Sequence, residues 1–548
     1  MHRLIIYCAV FILSGSAGIL KSQTTPWPEW VFHHWVWEDE STQQSAMQLV
    51  DDYQAHSIPV GAVIIDSPWE TGYNTFEWDT ALYPNAQAMV DYMHSKNVRV
   101  VVWITTAINT DVPDLWHYAD SMGYFMKQNA GSGSAVVNWW KGDGSMIDFF
   151  NPDAVAWWKT LMDKTLALGI DGWKCDGTDY SIVLGATYSP GAGRTVTRRE
   201  YSEEYYRLFH DYTRQQLGND RVNMSRPVDN YGLTFITDPN IVAFTPVDIG
   251  FACWVGDQDA TFAGMKAALN NMYQSDANNY LVFGSDIGGY REEPVPNGRD
   301  KDVFIRWAQL GAFSPLMENG GGGEHRPWMF DEETNTIYRT FARLHHALIP
   351  YLMEQGDSLF TASQSLMQFF NSSDYRFMLG SDIFVMPVLS SSNTVSVTFP
   401  SNDSWVYLFD TTQVFQNGAT ESLTVPLSEY PVFVKASATE LLATLKSVLD
   451  ETTSAQMRDG SFTAVKTYPN PASEQFMVSG LPLKAGEEYE LRLFNALGKN
   501  VRTVQLNSAH MDVPVKGLEK GVYHYVIQLS GSRAVFGTPA ITGTVVVD

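Results

Sequence analysis

The chain has 548 residues, too many for one ordinary core, and its 45% hydrophobic and 18% charged content is that of a globular protein with two or three domains. A net charge of −25 disfavours anionic partners and argues against a nucleic-acid binder that tracks the phosphate backbone. The aromatic share is 13%, with 17 Trp, which suits stacking on sugar rings even though most tryptophan in a large protein is core.

Residues 1–22 combine a charged start at Met1-His-Arg3, an apolar run from Leu4 to Leu13 and a small-residue zone at Ser14–Gly18. This is the pattern of a secretory signal peptide. The run is too short to span a membrane, and no later segment is long and apolar enough, so no integral membrane segment is expected. With Cys8 in the signal, only Cys175 and Cys253 remain. Two cysteines make no disulfide framework, and both are expected as small buried packing residues.

Between residues 30 and 330, apolar runs alternate with helical-period segments. The expected strands are Trp30–Trp37, Val60–Asp66, Val98–Thr105, Ile170–Asp176, Arg221–Ser225, Gly250–Trp254, Tyr280–Asp286 and Gly311–Met317. Helices are expected at Gln43–His56, Ala86–Lys96, Ala154–Leu168, Glu200–Gln216 and Phe262–Gln274. Strand, helix, strand over this length predicts an α/β fold, a TIM (β/α)8 barrel over residues 27–355. No Gly-x-Gly-x-x-Gly follows a strand and there is no Walker loop; Gly320–Gly323 is expected as a flexible loop at the barrel rim. A helix over Thr336–Gln355 leads into short alternating strands at Phe377–Leu379, Ile383–Val385, Val395–Phe399, Trp405–Phe409 and Val432–Val434. They predict a β-sandwich domain over 356–450, with a helix at 437–450 and a polar linker at 451–463. Alternating strands with Gly and Asn turns make 464–548 a small C-terminal all-β domain.

Within Gly169–Asp179, a short strand ends in a loop. Side chains alternate along a strand, so Lys174 and Asp176 share one face while Asp171, Trp173 and Cys175 share the other. A cation and a carboxylate together at a strand end are costly to bury unless they pair. The C-terminal strand ends of a barrel carry its chemistry. Asp176 is therefore either a catalytic carboxylate kept ionised partly by Lys174 or half of a structural ion pair. No His/Cys/Asp cluster is spaced as a metal site, and no cofactor is expected.

Read in order, Ile64-Ile-Asp66, Trp103, Lys174-Cys-Asp176, Met224-Ser-Arg226, Trp254-Val-Gly-Asp257, Asp286-Ile-Gly-Gly-Tyr290 and Arg306-Trp-Ala-Gln-Leu-Gly-Ala-Phe-Ser-Pro315 resemble glycoside hydrolase family 31. Ala347-Leu-Ile-Pro-Tyr351 and Phe377–Val388 extend the resemblance through the sandwich. It implies retaining hydrolysis of an α-glycosidic bond without a metal. Asp176 matches the nucleophile and Asp257 the general acid/base, with Asp259 as the rival acid. Asp66, Trp103, Lys174, Arg226, Trp254 and His325 fall where members touch the sugar at the cleavage subsite, and Asp286 matches a pocket-wall residue. Two carboxyl groups about 5–5.5 Å apart are what retention requires.

There are departures from the family. The barrel starts almost directly after the signal peptide, without the large β-sandwich that usually lends a loop to the pocket. The Arg-x-His common after the eighth-strand Pro is Met317-Glu-Asn-Gly320 here, and His325 is read as the replacement histidine after a short insertion. The carboxylate that usually follows the nucleophile as Gly-Glu appears as Thr178-Asp179.

The C-terminal stretch carries Tyr468-Pro-Asn-Pro471, Phe494-Asn-Ala-Leu-Gly-Lys499 and Gly517-Leu-Glu-Lys-Gly-Val-Tyr523. It resembles the sorting domain of the bacterial type IX secretion system, which implies that machinery as a partner and a secreted or cell-surface location. The expected function is a secreted retaining exo-α-glycosidase acting on an oligosaccharide or polysaccharide. The Lys-x-Asp strand is similar to both α-galactosidase-like barrels and the α-xylosidase branch of family 31, so glucosides have no priority. A transglycosidase on the same barrel and a non-catalytic surface glycan-binding protein are the alternatives.

Overall fold

The computed structural model describes residues 25–178, 186–228, 245–459 apart from 294, 297 and 402, and 466–547 apart from 469–470, 480–487, 496–498, 509 and 531–540. The expected signal peptide, Asp179 and the end of the expected linker lie outside the described residues.

Strands His34–Glu38, Ala62–Ile65, Arg99–Ile104 and Gly172–Cys175 lie side by side and parallel, with Met317–Asn319 on the far side of the first. Met224 bridges Lys174, and Ser225 bridges Cys253. Cys253–Trp254 pairs with Phe283–Gly284, and an Asp286–Glu318 bridge returns to the last strand. All of these contacts are parallel, and together they close an eight-membered ring, the TIM barrel. Helices Gln43–Ala55, Ala86–Ser95, Pro152–Leu166, Arg198–Leu217, Phe262–Ala277, Lys301–Ala312 and Glu332–Thr361 follow strands around it. Local chemistry starts them. Thr42 with Ser45 and Thr197 with Glu200 form capping boxes, and Asn151 caps a helix that opens on Pro152.

The fourth strand follows the expected alternation. Trp173 points outward, its ring 5.4 Å from Phe209 and its indole N–H donating to Thr213 (3.0 Å). Lys174 points into the barrel. Gly172 leaves room for the neighbouring chain: a Cβ there would lie 1.8 Å from the Val222 carbonyl oxygen. Cys175 and Cys253 are both buried free thiols.

The last barrel strand departs from expectation. Lys301–Ala312 is a helix and the strand is Met317–Asn319, not Gly311–Met317. Every residue from Val303 to Ala312 is buried. A helix covered all round shows no polar face, so its apolar run cannot be told from a buried strand by periodicity. The cover is the next domain. Arg306 donates to the Val425 (2.9 Å) and Glu429 (2.6 Å) carbonyls, and Gln309 to that of Leu427 (2.7 Å). The Arg-Trp-x-Gln motif thus fastens the barrel to the sandwich.

The sandwich packs a six-stranded antiparallel sheet with the pair Thr394–Thr398 and Thr420–Thr424. Helix Thr439–Asp459 continues into the stretch read as linker. The C-terminal domain has three- and four-stranded antiparallel sheets around Phe476, Leu491, Leu493, Tyr525 and Ile527.

An element the sequence reading missed follows the third barrel strand. Ala107–Asn109, Gly142–Met146 and Val137–Trp139 form a three-stranded antiparallel insertion, with helix Pro113–Met122 in its loop. Its strands are only three to five residues long, too short to show a period.

Candidate active site

A cavity of about 340 Å³ opens at the C-terminal ends of the barrel strands. Asp66, Trp103, Lys174, Asp176, Arg226, Trp254, Asp257 and Asp286, eight of the nine expected site residues, line it.

Asp176 and Asp257 meet through one guanidinium. Arg226 Nε donates to Asp176 Oδ1 (3.2 Å), and Nη2 donates to Asp257 Oδ2 (2.5 Å). Arg226 is itself buried and stacked over Trp254, 4.3 Å from the ring centroid. Trp103 Nε1 donates to the other oxygen of Asp176 (3.3 Å). Burial alone would raise the pKa of Asp176. The charges of Arg226, then Lys174, outweigh it and hold the carboxyl below the usual range.

Of the two readings of this strand end, the direct Lys174–Asp176 ion pair is not formed: Lys174 Nζ bonds Asp66 at 2.8 Å and lies 3.5 Å from the Trp37 ring centroid, while its charge still helps keep Asp176 ionised. Burial would favour a neutral amine, but Asp66, Asp286 and Glu318 keep the ammonium charged. The two cations thus bond different acids: Arg226 bridges Asp176 and Asp257, and Lys174 holds Asp66 on the floor.

Asp257 sits at φ +67°, a left-handed conformation that Asp tolerates better than most residues. Its N–H donates to Asp286 Oδ2 (3.0 Å). Gly256 before it allows this approach; a Cβ there would lie 2.5 Å from the Trp254 ring and 2.6 Å from Asp286 Oδ2. Asp259, the rival acid, is half exposed, pairs with Arg291 (2.7 Å) and does not line the cavity.

His325 is the one expected contact outside the cavity. It is buried and lines a neighbouring cavity with Tyr53, Glu324 and Arg326. The glycines before it route the chain this way: Gly321 and Gly323 take φ +142° and +82°, and Gly321 packs between His325 and the Tyr290 backbone.

Several lining residues escaped the sequence reading. Asp39 follows the first strand and accepts from the Tyr290 hydroxyl (3.1 Å). Its position past a strand end was the available signal. Glu318, behind the wall, stands where the Arg of Arg-x-His was expected. It is fully buried, accepts from the Trp37 indole N–H and bridges Asp286. Burial and the neighbouring carboxyl push Glu318 well up. Burial, offset in part by Lys174, pushes Asp286 up to about 6. Trp140 and Lys141 come from the insertion.

An ionised carboxylate and a second carboxyl sharing one guanidinium, in an aromatic-walled cavity, suit acid–base and nucleophilic work on a sugar. Among the described residues, no helix is long and apolar enough to cross a membrane.

Residues 358–438 match the glycosyl hydrolase family 31 C-terminal domain, and 466–535 match the secretion system C-terminal sorting domain. A 1,3-alpha-isomaltosidase from Kribbella flavida is 25% identical over 75% of this chain and 61% of its own length. An alpha-xylosidase from Emericella nidulans is 23% identical over 74% of this chain and 52% of its own. The chain thus spans about half to three-fifths of these relatives. A family 31 dextranase structure from Flavobacterium johnsoniae superposes with a TM-score of 0.65 at 20% identity, covering 74% of this chain and 52% of that one. A soil-metagenome α-xylosidase gives 0.63 at 19%, covering 76% and 65%. These two likenesses concern the fold. Residues 24–355, well over half of the chain, match the glycosyl hydrolases family 31 TIM-barrel domain, and the chain belongs to that family.

Proposed function

We propose that this protein is an exported exo-α-glycosidase that retains anomeric configuration. The observation that carries the reading is the single guanidinium spanning Asp176 and Asp257 at the barrel mouth. A clamp of that size suits the short carboxyl separation of a retaining pair.

In the first step, Asp176 attacks the anomeric carbon as the C–O bond to the leaving sugar breaks, while Asp257 gives its proton to the departing oxygen. A glycosyl ester on Asp176 results. Water then attacks the same carbon, Asp257 takes its proton and Asp176 leaves. The depressed pKa of Asp176 keeps it ionised for attack. Substrate entry is expected to draw Arg226 away from Asp257 and onto a sugar hydroxyl, which leaves Asp257 to face the leaving oxygen. Lys174 with Asp66 offers donors and acceptors to the far hydroxyls of the ring. Trp103 and Trp254 wall its faces, and Asp286 fixes the Asp257 backbone. A cavity of about 340 Å³ suits a single sugar ring at a chain end rather than an internal bond, which supports exo action. The names of the relatives favour gluco- and xylo-configured substrates, and the Lys-x-Asp strand keeps galacto-configured ones in play.

The sorting-domain match at 466–535 supports export by the type IX machinery, with residues 1–22 as signal peptide.

Aryl α-glycosides of glucose, galactose, xylose and N-acetylgalactosamine test the proposal, with wild type beside Asp176→Ala. Hydrolysis of one of them, lost in the variant and releasing the α-anomer first by NMR, is the expected result. The β-anomer first would sink retention. A disaccharide product at the expense of hydrolysis would favour transfer, and silence across the panel would favour a glycan-binding protein.

A further inference from the structure

We propose that Trp140, at the tip of the inserted hairpin, is the platform on which the leaving-group sugar stacks. The proposal rests on the glycosidase reading and deepens it: the substrate is an α-linked disaccharide or longer, read at two adjacent sugars.

Trp140 lines the cavity and is nevertheless 48% exposed. It is the larger residue of a two-residue loop: Trp139 pairs with Gly142 across the hairpin, leaving Trp140-Lys141 between them. Neither Trp140 nor Lys141 takes a positive φ; Gly142, at φ +120°, carries that demand, so the loop tip can hold a large side chain without strain.

The tip is also held rigid. Buried Asn109 accepts from the Trp139 indole N–H (2.7 Å) and donates to the Lys141 carbonyl (2.8 Å). The Trp139 ring meets Tyr73 edge-on at 5.4 Å and Trp140 at 5.0 Å. A bulky ring is thus fixed in place with its own surface left bare. A pyranose face covers such a surface, and a preorganised platform loses little entropy when it does. The insertion also supplies part of the cavity wall through Trp140 and Lys141.

The test compares wild type, Trp140→Ala and Trp140→Phe on isomaltose, isoprimeverose and melibiose, each against the α-fluoride of its non-reducing sugar. A fluoride has no leaving-group sugar to stack. For the sugar that is turned over, the ratio of disaccharide to fluoride kcat/KM is expected to fall about 5- to 10-fold in the Ala variant, with Phe recovering most of it. An unchanged ratio overturns the platform, whether activity is kept or lost on both substrates. Calorimetry of the same disaccharides on Asp176→Ala with and without Trp140→Ala needs no turnover. If wild type hydrolyses nothing, the glycosidase reading fails. A similar loss of disaccharide binding, with monosaccharide binding kept, would then still support the platform. Unaltered disaccharide binding, or none in either protein, would overturn it.

Discussion

Two carboxylates that flank one strand five positions apart, Asp171 and Asp176, show how alike a structural acid and a proposed nucleophile look by charge alone. Burial would raise both pKa values, and in both cases hydrogen bonds or opposite charges hold the carboxyl below its usual range instead. Asp171 lies at the N-terminal end of the barrel. It bonds His94 (2.7 Å), Arg99 (2.9 Å) and the Val100 N–H (2.9 Å), and its side chain is 0% exposed. Asp176 lies at the other end, 13% exposed, and shares its main cation with a second acid. The difference is therefore access. A perturbed carboxylate marks a site only where a cavity reaches it.

The largest effects expected would break that contrast. Asp176→Ala should lower kcat by about a thousandfold or more, because a covalent step loses its nucleophile. Its melting temperature should fall less than that of Asp171→Ala, because Arg226 keeps Asp257 as a partner. Asp171→Ala should do the reverse. Removing one partner of a buried ionic cluster costs about 3–5 kcal/mol, so urea unfolding should shift strongly while the protein that remains folded keeps its kcat. Equal losses of activity and stability in both variants would abolish the distinction.

The next effect sharpens it within the proposed catalytic pair. Asp257→Ala should lower kcat/KM on a disaccharide by about 10²–10⁴-fold, the usual worth of a general acid. On an α-glycosyl fluoride, whose leaving group needs no proton, formation of the glycosyl-enzyme should be far less affected, and azide should restore turnover as a glycosyl azide. Stopped-flow measurement on the fluoride separates the steps. If the fluoride loses as much as the disaccharide, Asp257 acts on something other than the leaving oxygen.

The pH dependence follows from Asp176. Its folded pKa lies below the ordinary 3.8, so the acid limb of kcat/KM should fall below pH 3.8. The stability it contributes is present above that value and is lost as pH drops through the folded pKa. An acid limb near pH 5 or above would mean that Arg226 and Lys174 do not govern it.

How much of this could be read from the chain varied with the kind of signal. The alternation around Trp173 and Lys174 gave the inward and outward faces correctly, because a strand has a fixed two-residue period. It could not give the partner of Lys174. That partner, Asp66, is 108 residues away, and only closure of the barrel brings the second and fourth strands to a common floor. Arg306 and Gln309 were recognised as a motif, but their bonds to sandwich carbonyls exist only once two domains dock. His325 had the right type and a plausible spacing, but four glycines in a row can route a chain along many paths. Trp140 carried a usable signal that was overlooked, a tryptophan and a lysine at the tip of a Gly-flanked turn.

The smallest effect concerns Asp286 and Glu318, bridged across the last two strands beside Lys174. Neither is in reach of the reacting carbon in the proposed mechanism, so Glu318→Gln should change kcat by less than about tenfold. The sensitive readout is stability against pH. Asp286 is pushed up to about 6 in the fold from 3.8 when unfolded. The folded state thus holds a proton that the unfolded chain releases, so its contribution is complete below pH 3.8 and is lost as pH rises through about 6. Glutamine at 318 keeps an acceptor for the Trp37 indole N–H but carries no charge at any pH. The hydrogen bond from the Glu318 carboxyl holds the Asp286 pKa down, and an amide N–H is a weaker donor, so in the variant burial should push Asp286 further up and the decline in melting temperature that follows its titration should move to higher pH. Superposable wild-type and Glu318→Gln curves would mean that the two carboxyls ignore each other. The floor would then be held by Lys174 alone.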